Sequence, residues 1–187
     1  MTQTRTIVRL VACALVAGVA GAVVQARTAQ QSQVTPREMR GVRNLTQVTP
    51  TVACAGATDT SAIARIAHEG FKTIINLRLA SERGADVDEA REAARAAGIR
   101  YIHLPYEIEN PAPGLVDRFL AAVNDEANHP VFIHCASAGR VAGLWLIKRV
   151  VSDGWDVRDA EREALAIGLA NPRVRDFAMA EIAKRKG

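Results

Sequence analysis

Residues 130–151 constrain the chain more than any other stretch. Pro130-Val-Phe-Ile-His134 is a short apolar run of strand character. It passes at once into Cys135, then into Ala136-Ser-Ala-Gly139, and Arg140 opens a mainly apolar segment that reaches Val151. A buried strand, a tight loop of small residues and an apolar helix in direct succession form a strand–turn–helix unit. Such units belong to α/β folds.

The rest of the chain supports that class. Thr51 to Ala55 reads as a short strand, and Thr58 is placed to cap a helix over Asp59–Glu69 that Gly70 stops. Phe71 to Leu77 is β-branched and apolar, Asp86 to Ala97 is an Ala/Glu/Arg helix closed by Gly98, and Tyr101 to Leu104 is another strand. Leu115, Val116, Phe119, Leu120 and Val123 recur at helical spacing. Two further helices follow, Val157–Ile167 and Pro172–Lys184. The expected fold is α/β: three layers, with a mainly parallel sheet of four to five strands flanked by helices. In such a sheet the connections after Leu77, Leu104 and His134 converge at the carboxyl ends of the strands, where functional loops gather.

With 187 residues, the chain has room for one domain and an additional segment. Arg5 and Arg9 precede an uncharged Ala/Val/Leu run from Leu10 to Val24, and Val24-Gln-Ala26 has the small–x–small form of a signal-peptidase site. Residues 1–26 are therefore expected to be a cleaved signal, residues 27–43 a polar linker and residues 44–187 the folded domain. A secreted or periplasmic location follows, the alternative being an N-terminal membrane anchor, so membrane contact is expected only through this segment. Loss of Arg5 and Arg9 lowers the net charge from +4 to +2, too little to suggest nucleic acid as a partner.

The loop after His134 carries a chemical reading. Small residues let the backbone curl so that several N–H groups point inward, and a helix N-terminus behind them favours an anion. The same environment makes Cys135 a nucleophile. Arg140 can grip two oxygens of an anion with its planar fork, and His134 is expected to orient the loop rather than act as a base. The plainer alternative is a buried cysteine at a tight turn, with Arg140 solvated.

Together with Gly70-Phe-Lys-Thr-Ile-Ile-Asn-Leu-Arg78 and Gly98-Ile-Arg-Tyr-Ile-His-Leu-Pro105, this loop resembles the cysteine-dependent protein tyrosine and dual-specificity phosphatase superfamily. Within it, the similarity is to the bacterial phosphatase-like subgroup that includes domains fused to a β-lactamase-like hydrolase or to NAD kinase, and it spans Asn44 to Asn171. The resemblance implies a phosphomonoester hydrolase without cofactor or metal, acting on a phosphorylated small molecule or a phosphoprotein. Cys135 would form a phosphocysteine, while Ala136, Ser137, Ala138, Gly139 and Arg140 bind the phosphoryl group. A carboxylic acid after the third strand would protonate the leaving oxygen, with Glu107 preferred to Glu109.

Two features depart from the superfamily pattern. Four residues separate Cys135 from Arg140 instead of five, and Val141 replaces the usual Ser or Thr, a role Ser137 can fill. The short loop is also similar to rhodanese sulfurtransferases. A persulfide carrier and a non-catalytic anion-binding module are thus the alternatives to a phosphatase. Arg78 is a further anion-binding candidate, with pairing to Glu82 as its structural alternative. Cys54 is either a buried small hydrophobe or a redox partner of Cys135.

Overall fold

The computed structural model describes residues 34–186; the signal expected at 1–26 and the first part of the expected linker lie outside them. A six-stranded sheet forms the middle layer. Its strands are β1 (Thr35–Met39), β2 (Val42–Thr49), β3 (Val52–Ala55), β4 (Thr73–Asn76), β5 (Arg100–His103) and β6 (Val131–His134). They lie in the order β1-β2-β3-β6-β4-β5. β3, β6, β4 and β5 run parallel, while β1, β2 and β3 are joined antiparallel.

β4 and β6 sit in the centre because they can be buried on both faces. Thr-Ile-Ile-Asn and Val-Phe-Ile-His show none of the polar alternation of a half-exposed strand. The helices are α1 (Ile63–His68), α2 (Val87–Ala96), α3 (Leu115–Asn124), α4 (Gly139–Val151), α5 (Val157–Ile167) and α6 (Pro172–Lys186). α1 and α2 cover one face, where Ile66 and Ala94 meet Ile74 and Phe132. α3 to α6 cover the other, around Ile133, Phe119 and Leu144.

α4 is buried nearly all round, as its apolar sequence requires. It approaches α6 so closely that a Cβ on Gly143 would lie 2.4 Å from Val174 Cγ1. Against α5 it makes a buried ion pair. Arg149 Nε and Nη2 donate to Glu163 at 2.6 and 2.9 Å, Trp145 Nε1 donates to the same carboxylate at 2.9 Å, and the guanidinium lies over the rings of Trp145 and Trp155. Satisfying both partners in this way is what makes a buried charge pair tolerable. The two tryptophans are the walls of this pair.

Two sequence expectations change. The segment 35–43, read as linker, forms β1 and the start of β2, so the sheet has six strands rather than four or five. The hairpin covers the open side of β3, which a parallel core would otherwise leave exposed. Second, the helix expected over Asp59–Glu69 is a 3₁₀ turn, Thr60–Ala62, followed by the shorter α1. Thr58 does not cap it: the Thr58 hydroxyl donates to the Gly56 carbonyl at 3.2 Å.

Candidate active site

The loop after β6 leaves the sheet between β3 and β4, where strand order places a crevice at the carboxyl ends of the strands. The Cys135 amide still belongs to the sheet and donates to Ala55 at 3.2 Å. Beyond it the chain turns. The carbonyl of Ala136 accepts from the Ala57 amide at 2.9 Å, and the carbonyl of Ser137 accepts from Asn44 Nδ2 at 3.3 Å. In a trans peptide the following N–H points opposite to the carbonyl. The amides of Ser137 and Ala138 therefore face away from these outer partners.

Ala138, at φ 72, makes the left-handed turn into α4, whose start has no side-chain cap. The first amides of α4 are thus left without intrahelical partners. This is the arrangement of inward amides and helix terminus that suits an oxyanion. The loop stays tight because Gly56 lets it approach: a Cβ there would lie 3.1 Å from the Arg43 carbonyl and 3.2 Å from the Ala136 carbonyl.

Cys135 is 1% exposed, at the start of this loop. Arg140 is 8% exposed, and its guanidinium lies beside the Cys135 side chain. Nη1 donates to Glu82 Oε1 at 2.6 Å and to the Tyr106 carbonyl at 3.0 Å, and Nη2 donates to Glu82 Oε2 at 2.9 Å. Those bonds use three of the five N–H groups of an arginine; the remainder also bonds the Cys135 side chain. Burial alone would lower the Arg140 pKa. Glu82 and the neighbouring Cys135 side chain reverse this and hold the guanidinium above its ordinary value.

Glu82 is the site residue that sequence reasoning missed in this role. Burial disfavours its charged form, but bonds from Arg140, from the Leu79 amide at 2.8 Å and from Arg78 outweigh burial and set its pKa below the ordinary carboxylate value. The only signal in the sequence was its place on the loop after β4, four residues beyond Arg78.

Arg78 does not present itself to an anion. Its Nη1 and Nη2 donate to the carbonyls of Gly84 and Arg83 at 2.5 and 2.7 Å, and Nε donates to Glu82 at 3.3 Å. The geometry gives it the pairing role weighed in the sequence, as the residue that shapes the 82–84 loop and thereby aims Glu82. His103 supports the same corner, with Nε2 2.8 Å from the Arg78 carbonyl.

His134 is buried, and burial, followed by the charges of Arg78 and Arg140, pushes its pKa down to about 3. It is neutral at physiological pH. Its Nδ1 has no hydrogen-bond partner among the described residues; the bond expected between this ring and the loop is present only to the backbone of the adjacent Cys135.

A hollow of about 410 Å³ opens over the loop, lined among others by Ala136, Ser137, Gly139, Arg140, Glu82 and Glu107. Glu107 is exposed on its wall. Glu109 also lines it but is ion-paired with Arg173. A larger hollow of about 820 Å³ lies between the β1–β2 hairpin and the end of α5. It contains no residue of the 135–140 loop, whereas Ala136, Ser137, Gly139 and Arg140 line the smaller one, with Cys135 buried beneath them, so chemistry and not size singles out the smaller. Cys54 lies fully buried on β3, its thiol pKa raised chiefly by that burial, and both Cys54 and Cys135 are free thiols.

A mostly parallel sheet with the loop Cys135–Arg140 at the carboxyl ends of its parallel strands defines a phosphatase-like α/β domain. The chain belongs to the family of the phosphatase-like domain of beta-lactamase hydrolase-like proteins, whose sequence model matches residues 44–152. The fold is shared with P. aeruginosa TpbA at 19% identity and a TM-score of 0.63, covering 84% of this chain and 92% of that one. It is shared with Tk-PTP at 18% identity and 0.64, covering 79% and 99%. The core catalytic domain of the PP-IP phosphatase SIW14 from S. cerevisiae aligns at 21% and 0.57, covering 81% and 92%. A cysteine-to-serine variant of TpbA has been solved in complex with pTyr. Among curated protein sequences, none matches the chain.

Proposed function

We propose that the protein is a cysteine-dependent phosphomonoester hydrolase. The observation that carries this is the Arg140 guanidinium, held charged by Glu82 and bonded to the Cys135 side chain, with two N–H groups that Glu82 and Tyr106 do not use. The loop amides and Arg140 receive the three non-bridging oxygens of the phosphoryl group, where charge gathers in the transition state. The Cys135 sulfur attacks phosphorus, the S–P bond forms as the P–O bond to the leaving group breaks, and Glu107 gives its proton to the departing oxygen. Water then attacks the phosphocysteine, Glu107 takes a proton from it, and inorganic phosphate leaves with the thiolate restored. Ser137, exposed on the loop, is the hydroxyl available to assist that departure in place of Val141.

The occurrence of pTyr in the TpbA complex and of a PP-IP phosphatase among the proteins of this fold supports a phosphorylated substrate. The sequence of residues 1–26 supports an exported activity, and the mature protein would begin at Arg27.

Purified protein assayed with an aryl phosphate, and separately with thiosulfate and cyanide, tests the reading. Phosphate release that disappears in Cys135→Ser is the expected result. Thiocyanate formation without phosphate release would overturn it in favour of persulfide transfer, which the four-residue spacing also allows.

A further inference from the structure

We propose that Asn44 is a positioning residue for the anion-binding loop, acting through the peptide between Ser137 and Ala138. The proposal rests on the reading of residues 135–140 as an oxyanion cradle. Asn44 is remote in sequence, at the start of β2, yet its Nδ2 donates to the Ser137 carbonyl at 3.3 Å. That bond holds the carbonyl on the outside of the loop. Because the peptide is planar and trans, the Ala138 amide is thereby turned to the opposite side, toward the interior of the loop. With only four residues between Cys135 and Arg140, the cradle has few amides, and each misdirected one costs a larger share of its grip.

The surrounding backbone is arranged to deliver this side chain. Arg43 donates to the Ala57 carbonyl at 2.9 Å and accepts from the Gly56 amide at 2.7 Å, while the Ala57 amide holds the Ala136 carbonyl at 2.9 Å. Residues 43–44, 56–57 and 136–137 thus form a small ladder beyond the end of β3, with Gly56 and Ser137 in a bridge. Asn44 itself sits at φ 48, in the left-handed region that asparagine tolerates better than most residues. A position that needs both left-handed backbone and a side-chain donor has asparagine as its natural occupant. Glycine supplies the first without the second, and alanine supplies neither.

That difference gives the experiment. Tungstate, an oxyanion probe, is titrated calorimetrically into the full chain carrying Cys135→Ser, with Asn44 intact and with Asn44→Gly or Asn44→Ala. kcat/KM for p-nitrophenyl phosphate is measured in the same Asn44 variants with Cys135 present. Asn44→Gly is expected to weaken tungstate roughly tenfold, the range of one lost neutral hydrogen bond, and to lower kcat/KM by a similar factor with the melting temperature unchanged. Asn44→Ala is expected to show the same loss together with a lower melting temperature from backbone strain. If Asn44→Gly binds tungstate as tightly as the parent, the proposal is overturned while the cradle reading stands. If the parent itself fails to bind tungstate, the cradle reading falls and the proposal with it. Should Asn44→Gly not fold, Asn44→Asp carries the test at neutral pH, since it keeps the shape and replaces the donor with an acceptor; unchanged binding there overturns the proposal equally.

Discussion

Glu82 and Arg140, 58 residues apart in sequence, face each other fork to fork, with 2.6 and 2.9 Å between their paired oxygens and nitrogens. The pairing fixes the plane of the guanidinium and so the direction in which its other N–H groups point. Glu82→Ala is expected to reduce kcat/KM for an aryl phosphate by about 10- to 100-fold and to destabilise the fold by about 2 kcal/mol, discounted for the partial exposure of the glutamate. Glu82→Gln, which keeps one acceptor, is expected to fall between. Steady-state kinetics with chemical denaturation check the order, and wild-type activity in Glu82→Ala would contradict it.

Glu107 and Glu109 line one hollow but differ in their partners, since Glu109 is taken up by Arg173. With Glu107 as the proton donor, its removal matters most for a poor leaving group. Glu107→Gln is expected to lower kcat/KM about 100-fold or more for an alkyl phosphate and much less for p-nitrophenyl phosphate. Glu109→Gln is expected to change neither. Equal losses on both substrates in Glu107→Gln would assign the proton to another group.

His134 sets a pH limit on stability. Its pKa falls from 6.5 in the unfolded chain to about 3 when folded, so the unfolded chain binds the proton first as pH drops. Above about pH 6.5 both states are neutral and the full stability is present. Below it, stability is lost by up to about 1.4 kcal/mol per pH unit until the folded pKa is reached. Urea denaturation at pH 8, 6, 5 and 4 should show a steeper decline in the wild type than in His134→Asn. Parallel curves would mean that His134 does not titrate as described.

Gly143 is the point of closest approach between α4 and α6. Gly143→Ala places a methyl group against Val174 Cγ1, 2.4 Å away before relaxation, and is expected to cost about 1–3 kcal/mol despite the better helix propensity of alanine. Adding Val174→Ala removes the clash, so the double variant should be at least as stable as Val174→Ala alone. Thermal melts of the three variants decide, and a Gly143→Ala protein as stable as the wild type would show that α6 yields freely.

What could be read from the sequence follows from how local each signal is. β4, β6 and α4 were legible because continuous burial leaves an apolar run with few alternatives, and Cys135 and Arg140 because a strand, a loop of small residues and a helix are contiguous. β1 was not legible: Thr-Pro-Arg-Glu-Met is exposed except at Met39, so no burial pattern marks it. It is a strand only because β2 offers it hydrogen bonds. Glu82 and Asn44 escaped for another reason. Their partners, Arg140 and Ser137, come near only after the sheet has assembled, and no spacing along the chain encodes that. Arg78 shows the converse: its neighbour in sequence, Glu82, was identified as a partner, but the carbonyls of Arg83 and Gly84 that absorb its charge could not be seen.

Among the described residues, β1 also terminates the sheet on its side. An outermost strand offers a row of unpaired peptide groups to any other chain, and here that row is interrupted. Pro36 has no N–H to contribute, and Arg37 and Glu38 beside it would have to be stripped of water before a second strand could dock. The hairpin that covers the parallel core therefore leaves a flank ill suited to strand-by-strand growth.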